Sequence, residues 1–408
     1  MKSYLIKNVR IVDTNQDQIG HVLISEGKIE KIFNDLEEIS IDAEVINGEN
    51  KILMPGWIDP HVHFRDPGFS DKEDFHTGSM AAVAGGVTTV FDMPNTMPVT
   101  DSKARLDEKR KIVLSKSLVN FGLFIVARPE NLSELREAKN VPGIKLFCNA
   151  TTGDLKVESG DFWREVFACG RMVATHAEDE TLVALTDIWS EMSFPCPLHV
   201  CHTHSKLEID TIRKLKKLTD KITAEAVPHH LLLTEKDFEE KGNFAAMKPP
   251  LATENDRLAL WEAVEDGTIN FFGTDHAPHT FAEKSSDTPI YGVPGVETIL
   301  RLLFSEFQDR GMSLQKLAAM TSLAVTKIYK VADKKGLIVS GYDADLVLID
   351  PSFADEINPA RFKSKAKWSP FEGFLTTAKV EKTFVGGSLV FDGGEVLKER
   401  AGKEVGFE

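Results

Sequence analysis

The sequence contains few cysteines and no long apolar run. Its four cysteines, Cys148, Cys169, Cys196 and Cys201, do not have the spacing of a disulfide framework. No apolar stretch approaches the ~20 residues that span a bilayer. The chain begins Met-Lys-Ser-Tyr-Leu-Ile-Lys, which is too short and too polar for a signal peptide. These absences predict a reduced, cytoplasmic protein without a membrane partner.

Positive charge is scarce as well. The chain has 48 lysines and arginines against 63 aspartates and glutamates, a formal net charge of -15. Such a balance argues against a nucleic acid as partner. A small negatively charged substrate must therefore be held by positive groups placed close to it.

The two ends of the chain have the texture of antiparallel strands. Apolar and polar residues alternate between residues 4 and 32, and the pattern returns in 345–349 and in a hairpin over 380–391. We therefore predict that residues 1–52 and 336–408 meet in one small composite β-sandwich domain.

The middle of the chain, residues 53–335, alternates strand-like and helix-like segments. Eight such units predict a (β/α)8 TIM barrel, an α/β fold whose active site lies at the carboxyl ends of the strands. The strand candidates are Ile52–His63, Val87–Asn95, Val119–Arg128, Gly143–Asn149, Arg171–Glu178, Pro197–His202, Ile222–His230 and Ile269–His276.

Polar residues collect at these strand ends. His61 and His63 alternate along the first strand, so both imidazoles point to one face and suit a metal such as zinc. Ordinary core histidines would not be expected to gather at one end of successive strands. The further polar residues at strand ends are Lys145, His176, His202, Asp275 and His279.

Lys145 is the unusual member of this set. An ammonium group buried in an apolar strand beside metal cations is unfavourable. Carbamylation by carbon dioxide would turn its amine into an anion able to bridge two metals. Alternatively Lys145 reaches the barrel rim or pairs with a carboxylate, and Asp154 in the following loop is the second candidate for a bridging ligand.

The assembled site predicts a pair of metal ions. One is held by His61, His63, Lys145 and Asp275, and the second by Lys145, His176 and His202. A water between two metals is deprotonated near neutral pH, and Asp275 is placed to take the proton and pass it to a leaving nitrogen. This chemistry is hydrolysis of an amide, or its reversal.

A carboxylate clamp is predicted at the same mouth. Arg65, Asn95 and His279 are its members, because arginine binds carboxylates through two parallel hydrogen bonds. Asn95 could instead cap a helix or stabilise a turn. Thr151-Thr152-Gly153 has the composition of a lid with hydroxyls for the substrate, or is a passive loop.

Five segments carry a resemblance to a known family. They are Asp59–Gly68, Asp92–Thr96, Pro228–Leu231, Thr274–Thr280 and Gly292–Thr298. Over nearly its whole length the chain resembles the dihydroorotases of the amidohydrolase superfamily. Gly143–Asn149 resembles the branch with a carboxylated lysine, which includes the dihydroorotase domain of the multifunctional animal pyrimidine enzyme.

This resemblance implies an activity and further contacts. The reaction would be the reversible cyclisation of N-carbamoyl-L-aspartate to L-dihydroorotate in pyrimidine synthesis, by a homodimer with two zinc ions per chain and a carboxylated Lys145. It assigns Thr151 as the lid hydroxyl and gives Pro294 and Gly295 backbone contacts to the substrate ring.

The chain also departs from the family pattern. Lys248 begins Lys-Pro-Pro-Leu-Ala where many relatives have Asn-Pro-Pro-Leu-Arg, and we predict that it supplies a second positive group to the substrate, the alternative being simple exposure. His204 stands where a small hydroxyl residue is common. Cys201 and Glu225 could bind a third metal near His176, although a buried cysteine is more often inert packing.

Two other functions fit parts of the pattern. A hydantoinase or allantoinase would use the same metals, but Arg65 argues against it because a hydantoin ring brings no carboxylate. A catalytically silent subunit that scaffolds a partner such as aspartate transcarbamoylase should have lost metal ligands, and this chain keeps all of them.

Overall fold

Eight parallel strands form the barrel that the sequence predicts. The computed structural model describes residues 2–37, 39–49, 51–151, 154–331 and 333–407. The barrel strands are Trp57–Val62, Val87–Asp92, Asn120–Leu123 continued by Ile125–Val126, Ile144–Phe147, Val173–His176, Leu198–Val200, Ile222–Ala226 and Phe271–Phe272. A parallel bridge between Val62 and His276 joins the first strand to the last. The predicted fold is confirmed.

Helices follow the strands and cover the barrel. They are Phe75–Ala84, Lys103–Lys116, Leu132–Glu137, Gly160–Phe167, Glu180–Glu191, Lys206–Lys216, Pro228–Leu232, Glu235–Lys241, Glu254–Glu265, Phe281–Lys284, Ile299–Asp309, Leu314–Ala318 and Ala324–Ile328. Side chains that accept backbone N–H groups begin several of them, including Asp74, Ser102 and Ser205. In the described parts of the chain no helix has the length and apolar character needed to cross a membrane.

The chain ends build one nine-stranded sheet. Its strands are Tyr4–Asp13, Gln16–Ser25, Lys28–Asn34, Glu44–Asn47, Ile52–Pro55, Leu346–Asp350, Lys379–Val385, Ser388–Asp392 and Glu395–Val396. Between its C-terminal strands, Asp355–Glu356 pairs with Leu375–Thr376 in a separate small sheet. The fold is therefore a TIM barrel with a β-sandwich built from both termini.

The single strand predicted over Ile52–His63 is two strands. The chain divides at Gly56, where an added Cβ would lie 2.3 Å from the Thr88 side chain. Ile52–Pro55 pairs antiparallel with Leu346–Ile349 in the terminal sheet, whereas Trp57–Val62 enters the barrel. The division of the chain at residue 53 stays a prediction, and it separates Ile52 from the rest of its strand.

The last residues of the chain fill a gap in the barrel wall. Asn120–Leu123 pairs with the second barrel strand, and only its continuation, Ile125–Val126, reaches the fourth. The Phe121 N–H donates to the Lys403 carbonyl at 3.0 Å, and the Val405 N–H donates to the Phe121 carbonyl at 2.9 Å. The barrel thus depends on a segment almost three hundred residues later in the sequence.

A buried ion cluster joins the barrel to the terminal sheet. Lys335 Nζ lies 2.7 Å from Asp343 Oδ2 and 2.5 Å from Asp345 Oδ2, with all three side chains buried. Asp345 also accepts from Asn120 Nδ2 at 3.0 Å and from the Gly386 N–H at 2.7 Å. Burial alone would raise the pKa of Asp343, but Lys335 and Lys28 lower it from 3.8 to about 2.

Replacing Lys335 by Met removes the buried cation between Asp343 and Asp345; Asp343 keeps contacts with Lys28 and the half-exposed Lys403, whereas Asp345 loses its ion-pair partner. We expect Lys335→Met to lower the free energy of unfolding by ~3–5 kcal/mol, measured by urea denaturation at neutral pH. Because the folded-state pKa of Asp343 lies below its unfolded value, this stabilisation is present above pH 3.8 and is lost as the pH falls through about 2. Lys403→Met is the control, since Lys403 is half exposed at 3.3 Å from Asp343 and should cost at most ~1 kcal/mol. Equal losses in the two variants would contradict the assignment.

Candidate functional site

The ends of the first and last barrel strands bring three buried ligand groups together. Asp275 Oδ1 lies 2.9 Å from His63 Nε2 and 3.4 Å from His61 Nε2. Burial and the nearby Lys145 lower the pKa of His61 to about 4, so the imidazole is neutral. Burial alone would raise the pKa of Asp275, but His61 and His63 hold it below its ordinary value. Two imidazoles and an ionised carboxylate form a donor set suited to a divalent metal.

His176 and His202 form the opposite side of the same site. His176 Nδ1 lies 2.8 Å from His202 Nε2, and the ring centres of His202 and His61 are 5.3 Å apart. Burial lowers the pKa of both His176 and His202. The structure therefore brings all five predicted imidazole and carboxylate ligands into one buried cluster.

Several site residues have a left-handed backbone. Arg65, His202 and Asp275 have φ values of 64°, 35° and 46°, which cost a non-glycine residue of order 1 kcal/mol or more. At a strand end this conformation turns the chain sharply, so that the side chain enters the barrel mouth. The strained residues are thus two predicted metal ligands, His202 and Asp275, and one member of the predicted carboxylate clamp, Arg65.

Lys145 is fully buried and lacks a carboxylate partner. Its Nζ donates to Cys201 Sγ at 3.0 Å, and among the described residues no carboxylate oxygen lies within 4.0 Å of it. By contrast, the buried Lys109 has Asp92 Oδ2 at 2.5 Å. The positive charge of Lys145 is close enough to lower the pKa of His176 and His202. Neither rim exposure nor pairing with an acid, the two alternatives from the sequence, is seen.

Glu225 and Cys201 lie behind the first histidine. Glu225 Oε1 is 2.5 Å from His61 Nδ1 and accepts the His202 N–H at 3.1 Å. One ligand atom each of His61, Cys201 and Glu225 lies within 4.8 Å of the others. Burial raises the pKa of the Cys201 thiol to about 12. Cys201 and Glu225 were predicted as ligands of a third metal near His176. In the structure they lie beside His61.

Two members of the predicted clamp, Arg65 and Asn95, line a cavity of about 260 Å³ at the barrel mouth. Arg65 donates to the Pro278 carbonyl at 3.2 Å and lies 3.2 Å from His279 Nε2. Asn95 Oδ1 is 2.6 Å from His63 Nδ1, so Asn95 orients a predicted metal ligand rather than capping a helix. Asp154 lines the same cavity.

The sequence analysis did not predict two positively charged side chains that line this cavity. Lys72 and Arg128 both line it, and Lys72 Nζ lies 3.3 Å from His279 Nδ1. Burial, Arg65 and Lys72 lower the pKa of His279 to about 3. Arg128 ends the predicted third strand, so the strand-end rule could have found it. Lys72 does not end a predicted strand, so this rule could not have found it.

The remaining predicted contacts lie around this mouth. Lys248 Nζ is 5.1 Å from the ring centre of Tyr291, and its charge lowers the pKa of Glu178. Thr151 is partly exposed, whereas Thr152 and Gly153 lie outside the described residues. His204 faces Glu208, with Nδ1 3.0 Å from Oε1.

The loop that contains Pro294 and Gly295 is anchored by a residue that the sequence did not single out. His276 Nδ1 accepts from the Gly295 N–H at 3.1 Å and from the Val296 N–H at 3.4 Å. Its Nε2 lies 3.8 Å from Glu73 Oε2, which accepts from Ser364 Oγ at 2.6 Å. His276 therefore fixes the backbone that is predicted to contact the substrate ring.

Removing this acceptor should loosen the loop. We expect His276→Leu to lower the free energy of unfolding by ~1–3 kcal/mol, because two buried N–H groups lose their partner, as measured by urea denaturation. His276→Gln, which retains an acceptor, should cost less. A loss in His276→Gln at least as large as in His276→Leu would contradict this role.

Comparison with known proteins places this site in a family context. The sequence profile described as "Amidohydrolase family" matches residues 52–390. A dihydroorotase from Methanosarcina mazei is 34% identical over 410 residues, covering 90% of this chain and 90% of that protein. The multifunctional protein CAD of Squalus acanthias is 33% identical over 372 residues, covering 90% of this chain but only 16% of that protein.

A solved structure also matches over the full length. The L-hydantoinase (dihydropyrimidinase) from Arthrobacter aurescens superposes with a TM-score of 0.93 at 26% identity, covering 100% of both chains. The curated relatives and the solved structure thus carry names of different cyclic amidohydrolases. The choice between those activities depends on the cavity at the barrel mouth.

Proposed function

The chain belongs to the amidohydrolase family, and we propose that it is a dihydroorotase that interconverts N-carbamoyl-L-aspartate and L-dihydroorotate. The observation that carries this proposal is Arg65, a buried arginine beside His279 at the mouth of the metal-ligand cluster. Both proposed substrates carry a carboxylate that such a pair can bind. The 34% identical dihydroorotase from Methanosarcina mazei supports the same conclusion.

The buried donors fit two divalent metals, which we take to be zinc. His61, His63 and Asp275 would hold one ion, and His176 and His202 the other. His176 Nδ1 and His202 Nε2 lie 2.8 Å apart, so the two rings turn a nitrogen towards the same point, as fits two ligands of one ion. When bound, such ions supply Lewis acidity that lowers the pKa of a water to near neutrality. The Cys201 and Glu225 pair beside His61 would hold a third.

Lys145 completes this set if its amine is carboxylated. The ammonium first loses one proton, and reaction of the neutral amine with carbon dioxide forms the N–C bond and releases a second, so a buried cation becomes an anion. The absence of a carboxylate within 4.0 Å of Lys145 in the described parts supports this step, because the unmodified ammonium has only a thiol partner. The two carbamate oxygens would face both groups of histidines.

The protein's own residues position the substrate and move the proton. Arg65, Asn95 and His279 would bind the carboxylate and orient the ring amide towards Asp275. In ring opening Asp275 accepts a proton from the attacking water and delivers it to the ring nitrogen as the carbon–nitrogen bond breaks. In ring closure the protonated Asp275 supplies the proton with which water leaves.

Further cations lie around the proposed substrate site. Lys72 and Arg128 line the same cavity as Arg65, but each is paired with a carboxylate, Lys72 with Glu283 at 2.6 Å and Arg128 with Glu130 at 2.5 Å, so Arg65 carries the recognition of the substrate carboxylate. We propose that Lys248, Pro294 and Gly295 contact the far side of the ring and that Thr151 donates its hydroxyl from a lid. The chain would act in the cytoplasm as a homodimer, and a contact with aspartate transcarbamoylase fits the multifunctional relative.

The first test is ring opening of L-dihydroorotate by zinc-loaded protein with bicarbonate present, followed by ultraviolet absorbance. We expect saturable turnover that falls at least ~10³-fold in Asp275→Asn, because the proton carrier and a metal ligand are lost. The exposed Asp187→Asn is the control and should retain full activity.

Hydantoin and allantoin distinguish the alternatives. The hydantoinase fold match favours testing them on the same sample. Arg65→Met should raise KM for dihydroorotate by ~10²-fold or more, since a charge-assisted bidentate contact is lost. Turnover of hydantoin in preference to dihydroorotate would reject the proposal, and a folded, metal-loaded protein inert to all three would favour the silent subunit.

Carboxylation of Lys145 is tested by loading metal-free protein with zinc and carbon-13-labelled bicarbonate. We expect a carbamate carbon signal in the nuclear magnetic resonance spectrum of the native protein and of Lys248→Gln, but not of Lys145→Ala. The metal content of the same samples, measured by mass spectrometry, distinguishes two ions from three. A signal that persists in Lys145→Ala would contradict the assignment.

A further inference from the structure

A second, larger cavity lies outside the barrel. Its volume is about 720 Å³, and it is enclosed by the helices Phe75–Ala84 and Ile299–Asp309, the segment 353–367 and the last hairpin of the terminal sheet. This volume is within the range of ligand pockets. No part of the proposed reaction uses it.

Five cations line this cavity, in a chain with an excess of acidic residues. Two of them are neutralised, since Arg361 lies 2.6 Å from Asp355 and Lys379 lies 3.3 Å from Glu381. The other three have no carboxylate oxygen within 4.0 Å among the described residues. They are Arg301, Lys363 and Lys367.

Arg301 is held in place by neutral groups. Its Nε donates to Thr376 Oγ1 at 2.9 Å and one Nη to the Asp355 carbonyl at 2.9 Å. In the described parts of the chain its other Nη has no acceptor. Arg301 is therefore an oriented guanidinium that, in the described parts of the chain, has no carboxylate oxygen within 4.0 Å and keeps a free donor.

The backbone of Lys363 is held by Glu297, an acidic residue of the cavity wall. The Glu297 carboxylate accepts the Lys363 N–H at 2.8 Å and the Ser364 N–H at 3.2 Å, and burial raises its pKa to about 8. The carboxylate is thus turned towards the backbone and is not ion-paired with the Lys363 ammonium. The side chain of Lys363 stays available to a ligand.

Much of the remaining wall is apolar and aromatic, although Thr298 and Asn358 also line it. Met80, Phe353, Phe362 and Phe391 line it, and Lys379 Nζ lies 4.4 Å from the ring centre of Phe353. A ligand with a planar ring would pack against these side chains while its anionic part met the cations. The cavity therefore combines a polar and an apolar half.

We propose that this cavity binds a phosphate-bearing metabolite of nucleotide size. Arginine and lysine together recognise phosphate oxygens through charge-assisted hydrogen bonds. Arg301, Lys363 and Lys367 provide this charge, and the aromatic wall provides the surface for a base or another ring. The site is separate from the carboxylate clamp at the barrel mouth.

The test is calorimetric titration of the zinc-loaded protein with ADP and, separately, with adenosine at low ionic strength. ADP should bind with a Kd below about 1 mM and at least tenfold more tightly than adenosine, because the phosphates meet the free cations. Lys363→Gln and Arg301→Gln should each weaken ADP binding about tenfold or more. The control Lys217→Gln removes the same charge from the exposed end of a distant helix and should leave ADP binding unchanged.

Three results would overturn the proposal. They are no ADP binding at millimolar concentration, equal binding of adenosine, and ADP binding that is unaffected in both cavity variants. Dihydroorotate turnover by Lys363→Gln verifies that the variant is folded. It also separates a failure of this proposal from a failure of the proposed reaction.

Discussion

The contact of Asp275 with His61 and His63 is the interaction on which the site depends. It joins the last barrel strand to the first, at the place where Val62 and His276 close the barrel. The strand pairing that closes the barrel therefore also brings the predicted metal ligands together. Burial lowers the pKa of His61, and the proximity of His61 and His63 lowers that of Asp275, so the site has imidazole nitrogens beside an anion. A divalent cation is the natural complement of this arrangement.

The buried lysines show how consistently this fold compensates charge. Lys109 pairs with Asp92, and Lys335 with two aspartates. Among the described residues Lys284 has no carboxylate within 4.0 Å but donates to the carbonyls of Ala246 and Ile290, and burial lowers its pKa to about 7. In the same described parts of the chain Lys145 has a thiol as its hydrogen-bond acceptor and the ring of Phe147 nearby, but no carboxylate within 4.0 Å. Its environment is the least suitable of the four for an ammonium group, which is the physical argument for its chemical modification.

The sequence predicted what depends on local pattern. The alternation of strand-like and helix-like segments predicted the barrel, and the polar residues that end successive strands predicted side chains that do cluster at its mouth. The features that the sequence did not predict depend on contacts between distant segments. The division at Gly56 follows from the position of Thr88, the third strand needs Lys403 and Val405, and Lys72 enters the site through its contact with His279, more than two hundred residues later.

The loop with Pro294 and Gly295 shows why the terminal segments belong to the function. Its backbone is held from the barrel by His276. Two residues after Gly295, the Glu297 carboxylate accepts two backbone N–H groups of the segment 363–364, and Ser364 in turn binds the glutamate behind His276. These contacts connect the loop, the barrel and the C-terminal segment, with His276 Nε2 3.8 Å from Glu73 Oε2. A barrel without residues 363–364 would therefore keep its predicted metal ligands but lose backbone groups that hold the loop proposed to contact the substrate ring.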